Sequence, residues 1–302
     1  MRTLLTRASG YIGLHILRAL LADGQRVTAV VRSPERLGPF ARAPGVEVVV
    51  ADLRAVGVLS SVLPGHHACI HTALLWGQVD EEVAALDVTA ASRLFDAAGR
   101  AGVARIVFLS SAAVHRPFSA DMSEADTLSP TDLYGATKAA GELFLRAHCA
   151  LHGMTGVVLR PGPVVGPPAF PSGAFRSPGR LADMVEAALQ GHAIPTGQGV
   201  GRQFSPVSSV ARAACLAVRQ EAPNPTYVCV DRQVMSWERV AQMVVATTGS
   251  TGTVSGPSNP ASPSVSRFNT QHIESLLGAP VDATEALTQH IRHLAGRGER
   301  AH

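Results

Sequence analysis

From residue 2 to about residue 160, short apolar runs alternate with longer stretches of helical period, and this alternation restricts the fold more than any other feature. The runs near 2–6, 26–31, 46–51, 68–73, 104–110 and 155–160 are too short for helices and rich in Val, Ile and Leu, as strands buried on both faces are. Leu14, Leu17, Leu20 and Leu21 mark the buried stripe of the first intervening helix. Val83, Leu86, Ala90, Leu94 and Ala97 mark that of a long one over 80–100. Parallel strands need crossover helices, so the pattern predicts an α/β chain with a doubly wound parallel sheet. Ser129-Pro130 predicts a capped start, with proline at the first helical position, for the helix carrying Tyr134 and Lys138.

The texture changes after residue 160. Residues 161–179 hold six prolines and four glycines, which predicts a long loop beside the carboxyl ends of the strands. Helical patterns return near 178–190, 207–220, 236–247 and 270–295, with one further strand at 226–230. Residues 250–266 read as a Ser/Gly/Pro/Thr surface linker. The expected division is a Rossmann-type dinucleotide-binding domain over 1–160 and a smaller substrate lobe over 161–302, interleaved with the last sheet elements.

Composition narrows the function classes. With 16% charged residues and a net charge of +3 spread over scattered arginines, the chain lacks the dense basic block of a nucleic-acid binder. Cys69, Cys149, Cys215 and Cys229 lie far apart and read as reduced core thiols, with no zinc-type spacing. His66-His67 and the dispersed C-terminal histidines read as solvated, so no metal is expected. No apolar run reaches the ~18 residues of a membrane span, and none resembles a leader. The expectation is a cytoplasmic protein without a membrane or nucleic-acid partner, acting on a small molecule, with homodimerisation open.

The segment Thr6-Arg7-Ala8-Ser9-Gly10-Tyr11-Ile12-Gly13 follows the first strand and opens the first helix. A glycine turn at that place lets backbone approach a pyrophosphate, which then sits on the positive helix N-terminus. About 20 residues on, where a dinucleotide fold reads the adenosine ribose, stands Arg32 and no acidic residue. A guanidinium clamps a 2′-phosphate with paired hydrogen bonds, so NADP(H) is favoured over NAD(H).

Lys138 is the only lysine among 26 basic residues and follows Tyr134, one of three tyrosines, by four positions. Residues so spaced share a helix face. A cation about 4 Å from the phenol contributes on the order of 4 kcal/mol at an effective dielectric of ~20, enough to lower its pKa by up to about three units.

These stretches occur together with Asp52-Leu53, His71-Thr72-Ala73, Ser110-Ser111-Ala112-Ala113-Val114, Tyr134-Gly135-Ala136-Thr137-Lys138 and Arg160-Pro161-Gly162-Pro163-Val164-Val165-Gly166-Pro167. Their order resembles that of the extended short-chain dehydrogenases/reductases, the NAD(P)-dependent epimerase/dehydratase group, from residue 3 to about 250. The resemblance implies that Ser111 holds the substrate oxygen, that Tyr134 exchanges its proton, and that Lys138 bonds the nicotinamide ribose and lowers the tyrosine pKa. It also implies that Asp52 and Leu53 flank the adenine. Thr72 and Ala73 would line the cofactor's path, and Pro161, Gly162 and Val164 would pack near the nicotinamide.

Arg7 stands at the family's first glycine, where the backbone adopts positive φ, and Asp87 stands where an Asn is common. His115 replaces a common Tyr, Pro163 replaces an Asn used on nucleotide sugars, and Ser208-Ser209 lacks the usual acidic pair. Trp76, His115, Phe170, Phe175, Arg176 and Phe204 are the expected substrate-pocket residues. The resemblance then implies an NADP(H)-dependent ketoreductase or alcohol dehydrogenase for a mainly apolar, cyclic molecule. Two alternatives are an epimerase or dehydratase working by transient oxidation, and a cofactor-free protein of the same fold with a cyclase or binding role.

Overall fold

A computed structural model describes residues 1–52, 57–72, 81–196, 201–219, 225–255 and 266–298. Its centre is a seven-stranded, all-parallel sheet of β1 (Arg2–Thr6), β2 (Arg26–Val31), β3 (Val46–Val50), β4 (Ala68–His71), β5 (Arg105–Leu109), β6 (Thr155–Pro161) and β7 (Thr226–Cys229). The order across the sheet is β7-β6-β5-β4-β1-β2-β3. The winding direction reverses between β1 and β4, so a crevice opens beyond their carboxyl ends, where this class of sheet binds its ligands.

Adjacent strand residues point to opposite faces, and the core divides accordingly. Leu5, Val107 and Leu109 enter one cluster with Leu14, Leu17 and Leu20 of helix α1 (Tyr11–Ala22) and with α6 (Val207–Val218). Leu4, Ile106 and Phe108 enter the other, against α3 (Glu81–Arg100) and α4 (Leu133–His152). Each fully buried Leu or Phe contributes about 1.5–3 kcal/mol to folding. The short α2 (Val58–Val62) flanks β4, and α5 (Gly179–Leu189), α7 (Trp237–Thr248) and α9 (Thr284–Gly298) pack around a third cluster. No helix among the described residues is long and apolar enough to cross a membrane.

Several boundaries differ from the sequence expectation. Helix α4 is capped by Asp132, whose carboxylate accepts from the Gly135 N–H at 2.8 Å, and not by Ser129. The α3 stripe is only partly as expected: Leu94 is fully buried, but Leu86 is 38% exposed, and Asp87, Ala91, Phe95 and Ala98 are buried as well. The pattern over 270–295 is two helices, α8 (Gln271–Leu277) and α9, broken where Gly278 takes φ +70 ahead of Pro280. His66 is buried, its ring bonded to Thr28 Oγ1 at 2.8 Å, and His290 is fully buried. Residues 256–265 of the expected linker lie outside the described residues.

Candidate active site

Strand β5 ends at Leu109, and Ser111 then caps a helical turn over Ala112–His115, its hydroxyl accepting from the Ala113 N–H at 3.2 Å. Helix α4 begins against that turn. A Cβ on Gly135 would lie 2.7 Å from the Ala113 carbonyl oxygen, so only glycine lets the first turn of α4 approach so closely. The approach brings Tyr134 into hydrogen-bond contact with Ser111.

Burial raises the Tyr134 phenol above its ordinary pKa, opposed by the Ser111 hydrogen bond and by the charges of Arg116 and Arg176. This corrects the expectation that Lys138 lowers it. The Lys138 ammonium is buried and turned over the Phe108 ring, 5.1 Å from its centre. Burial pulls its pKa down to about 8; Asp87 and Glu142 favour its charge and Arg7 opposes it.

Beneath Lys138 lies a network that the motif reading missed. Glu142, fully buried, accepts from Arg160 at 2.9 and 2.6 Å and from the Ser110 hydroxyl at 2.5 Å. Arg160 also approaches His115 Nε2 at 2.9 Å and donates to the Glu124 carbonyl at 3.0 Å. The available signal was the spacing of Tyr134, Lys138 and Glu142, each four residues apart on one face of α4.

At the N-terminus of α1 the fold provides a seat for an anion. Gly10 is the N-cap, no side chain caps the helix and no acidic residue occupies its first turn, so the dipole and the first N–H groups face outward. Gly13 is required, since a Cβ there would fall 2.5 Å from the Arg7 carbonyl oxygen. Arg7 adopts φ +50, the left-handed conformation that costs a non-glycine residue roughly 1–2 kcal/mol. Its guanidinium is held below its usual pKa by burial and then by Arg32, with Arg36 and Arg176 adding to the repulsion and Asp87 opposing it. A glycine cradle on an uncapped helix, ringed by Arg7, Arg32 and Arg36, fits the phosphates of a dinucleotide.

The remaining expected residues divide. Thr6 is turned into the sheet, its hydroxyl 3.0 Å from His71 Nδ1, and Thr72 donates to the Thr6 carbonyl at 2.7 Å, so the pair pins β1 to β4 at the crevice. Ile12 packs on the core, Asp52 follows β3 part-buried, and Arg32 is exposed at the end of β2. The Tyr11 hydroxyl donates to the Gly166 carbonyl at 2.7 Å, tying α1 to the loop after β6. Pro161 ends β6, the Gly162 N–H donates to Ser205 Oγ at 2.8 Å, and Val164 pairs in register with Ser205.

Among the expected pocket residues, only Arg176 has its charge felt at Tyr134. Phe204 is a correction: it is fully buried against Trp237 in the lobe core. Phe170 lies against Gly38 and Phe40, and Phe175 against Tyr11, His290 and His293. His115 is buried on Arg160. Leu53, Ala73 and Trp76 lie outside the described residues.

A family model described as the NAD dependent epimerase/dehydratase family matches residues 3–230. The chain belongs to this family. Sterol demethylase protein B of Methylococcus capsulatus is 30% identical over 78% of this chain and 73% of that protein. The uncharacterized UDP-glucose epimerase YtcB of Bacillus subtilis is 28% identical over 58% of this chain, and the chain spans 60% of that relative's length. Among solved epimerase/dehydratase-like folds, MoeE5 in complex with UDP-glucuronic acid and NAD superposes with a TM-score of 0.78 at 26% identity, covering 100% of each chain.

Proposed function

We propose that the protein is a nicotinamide-dependent oxidoreductase, preferring NADP(H), that acts on a secondary alcohol or carbonyl of a cyclic, mainly apolar small molecule. The observation that carries the reading is the Ser111–Tyr134 hydrogen bond at the end of β5, with Lys138 one turn further along α4. Residues 1–160 hold the dinucleotide and residues 161–302 close over the substrate.

When bound, the dinucleotide supplies or accepts the hydride. Thr72, Pro161, Gly162 and Val164 border its path, and Arg7 and Arg32 face its ribose phosphate. Ser111 Oγ donates to the substrate oxygen and fixes its position. Tyr134 Oη transfers the proton of that oxygen, a contribution of about 10²–10⁴-fold for a well-placed acid or base. Lys138 presents its charge to the nicotinamide ribose. The likeness to a relative named for sterol demethylation supports an apolar cyclic substrate.

A second reading, an epimerase or dehydratase of nucleotide sugars, is favoured by the likeness to MoeE5 in complex with UDP-glucuronic acid and by a further observation. Arg116 and Arg176 both act on Tyr134, and Arg116 and Arg180 both act on Arg202, a cationic rim suited to a diphosphate. Turnover assays with cyclic ketones and with UDP- and dTDP-sugars separate the two. Reduction of the ketones, lost at least ~100-fold in Tyr134→Phe, is expected; productive turnover of a nucleotide sugar alone would transfer the assignment to the second reading.

A further inference from the structure

Away from the crevice, α3 and α4 bring together three groups that sequence spacing did not connect. His152 Nε2 lies 3.0 Å from Asp96 Oδ1, and His148 Nδ1 lies 4.0 Å from the same oxygen. One ligand atom from each residue falls within 4.8 Å of the others. The two imidazoles, one helical turn apart, are parallel within 6°.

Three features indicate a built arrangement. His148 Nδ1 is buried and has no hydrogen-bond partner, at a distance from Asp96 too long for a hydrogen bond. The other ring nitrogen, Nε2, is held by Ser92 Oγ at 3.0 Å; when it donates there, the lone pair is left on Nδ1, facing Asp96. Glycine at position 99 of α3 makes room for the second ring, since a Cβ there would fall inside the His152 imidazole.

We propose that Asp96, His148 and His152 form a binding site for a zinc-class divalent cation that clamps α3 to α4. Two neutral imidazoles and one carboxylate oxygen are a donor set for a borderline cation, with Zn–N and Zn–O bonds of about 2.0–2.2 Å. Ligand atoms on a tetrahedral ion at those lengths stand roughly 3.3 Å apart, between the two observed separations. Arg100 donates to the second carboxylate oxygen at 2.8 Å and leaves Oδ1 for the ion. The Arg100 side chain is 74% exposed, so water screens its charge. Water completes the coordination.

The test uses the untagged full chain, stripped with a chelator and titrated with zinc chloride by calorimetry and with cobalt(II) by visible absorption. One zinc per chain is expected, with the intense visible bands of low-coordinate cobalt. A rise in melting temperature of about 4 °C is expected at a hundredfold excess over Kd. Asp96→Asn, His148→Gln and His152→Gln should each lose these responses, whereas His192→Gln, at an exposed position, should keep them. Absence of zinc and cobalt binding by the wild type, or undiminished binding by the three variants, would overturn the proposal. Where a variant folds poorly, a wild type that shows no cobalt bands still overturns the proposal.

Discussion

The Asp87 carboxylate on α3 acts on the Lys138 ammonium of α4 and sustains its charge against burial. Asp87 favours the charge of Arg7 as well, so one buried acid serves two mutually repelling cations. The aspartate at this position is therefore an electrostatic part of the site.

A single lysine makes that relation measurable. With carbon-13-labelled lysine, the side-chain resonance should titrate near pH 8 in the wild type and lower in Asp87→Asn. The folded-state pKa lies below the ordinary value, so the folded state releases this proton first as pH rises. The Lys138 contribution to stability should then rise with pH between about 8 and the ordinary lysine range near 10.5. A resonance that titrates at the ordinary value would contradict the burial of the ammonium.

The Glu142–Arg160 pair should be a stability determinant. Arg160→Met leaves a fully buried carboxylate without its partner, and chemical denaturation should show a loss of about 3–5 kcal/mol. Replacing the exposed partner in the Arg267–Asp121 pair should change stability by less than about 1 kcal/mol.

Ser111→Ala removes a hydroxyl that bonds both the Ala113 N–H and Tyr134. The phenol then loses a group that favours its ionised form, so the basic limb of the pH–rate profile should move to higher pH as turnover falls. A profile unchanged in position would place the titrating group elsewhere.

The sheet was readable because parallel strands buried on both faces leave continuous apolar runs, and β1 to β7 fall where those runs stand. The phase of α3 was readable only in part, Leu94 being buried as its spacing predicts. Leu86 looked like core, but the helix turns to bring Asp87 and Phe95 inward, and the charge it faces sits on a helix some fifty residues later. Ser111, Tyr134 and Lys138 stood out by motif as the candidate catalytic group. Their electrostatics did not, because the sign of the Tyr134 shift is set by burial in the folded chain, which outweighs the opposing Ser111, Arg116 and Arg176 brought in from elsewhere in the sequence. Phe204 looked like a pocket residue by its place after a loop, whereas the lobe needed its ring against Trp237.

On the proposed function, the cradle of Arg7, Gly10, Gly13 and Arg32 binds a phosphorylated dinucleotide. Calorimetric titration of the wild type with NADPH and NADH tests it most directly, with Arg32→Asp and Arg7→Gly beside it. NADPH should bind clearly tighter than NADH, Arg32→Asp should weaken NADPH roughly ten- to a hundredfold, and Arg7→Gly should bind NADH at least as well as the wild type. If the wild type binds neither nucleotide and only Arg7→Gly gains binding, Arg7 occupies the pyrophosphate path, and the oxidoreductase account is contradicted.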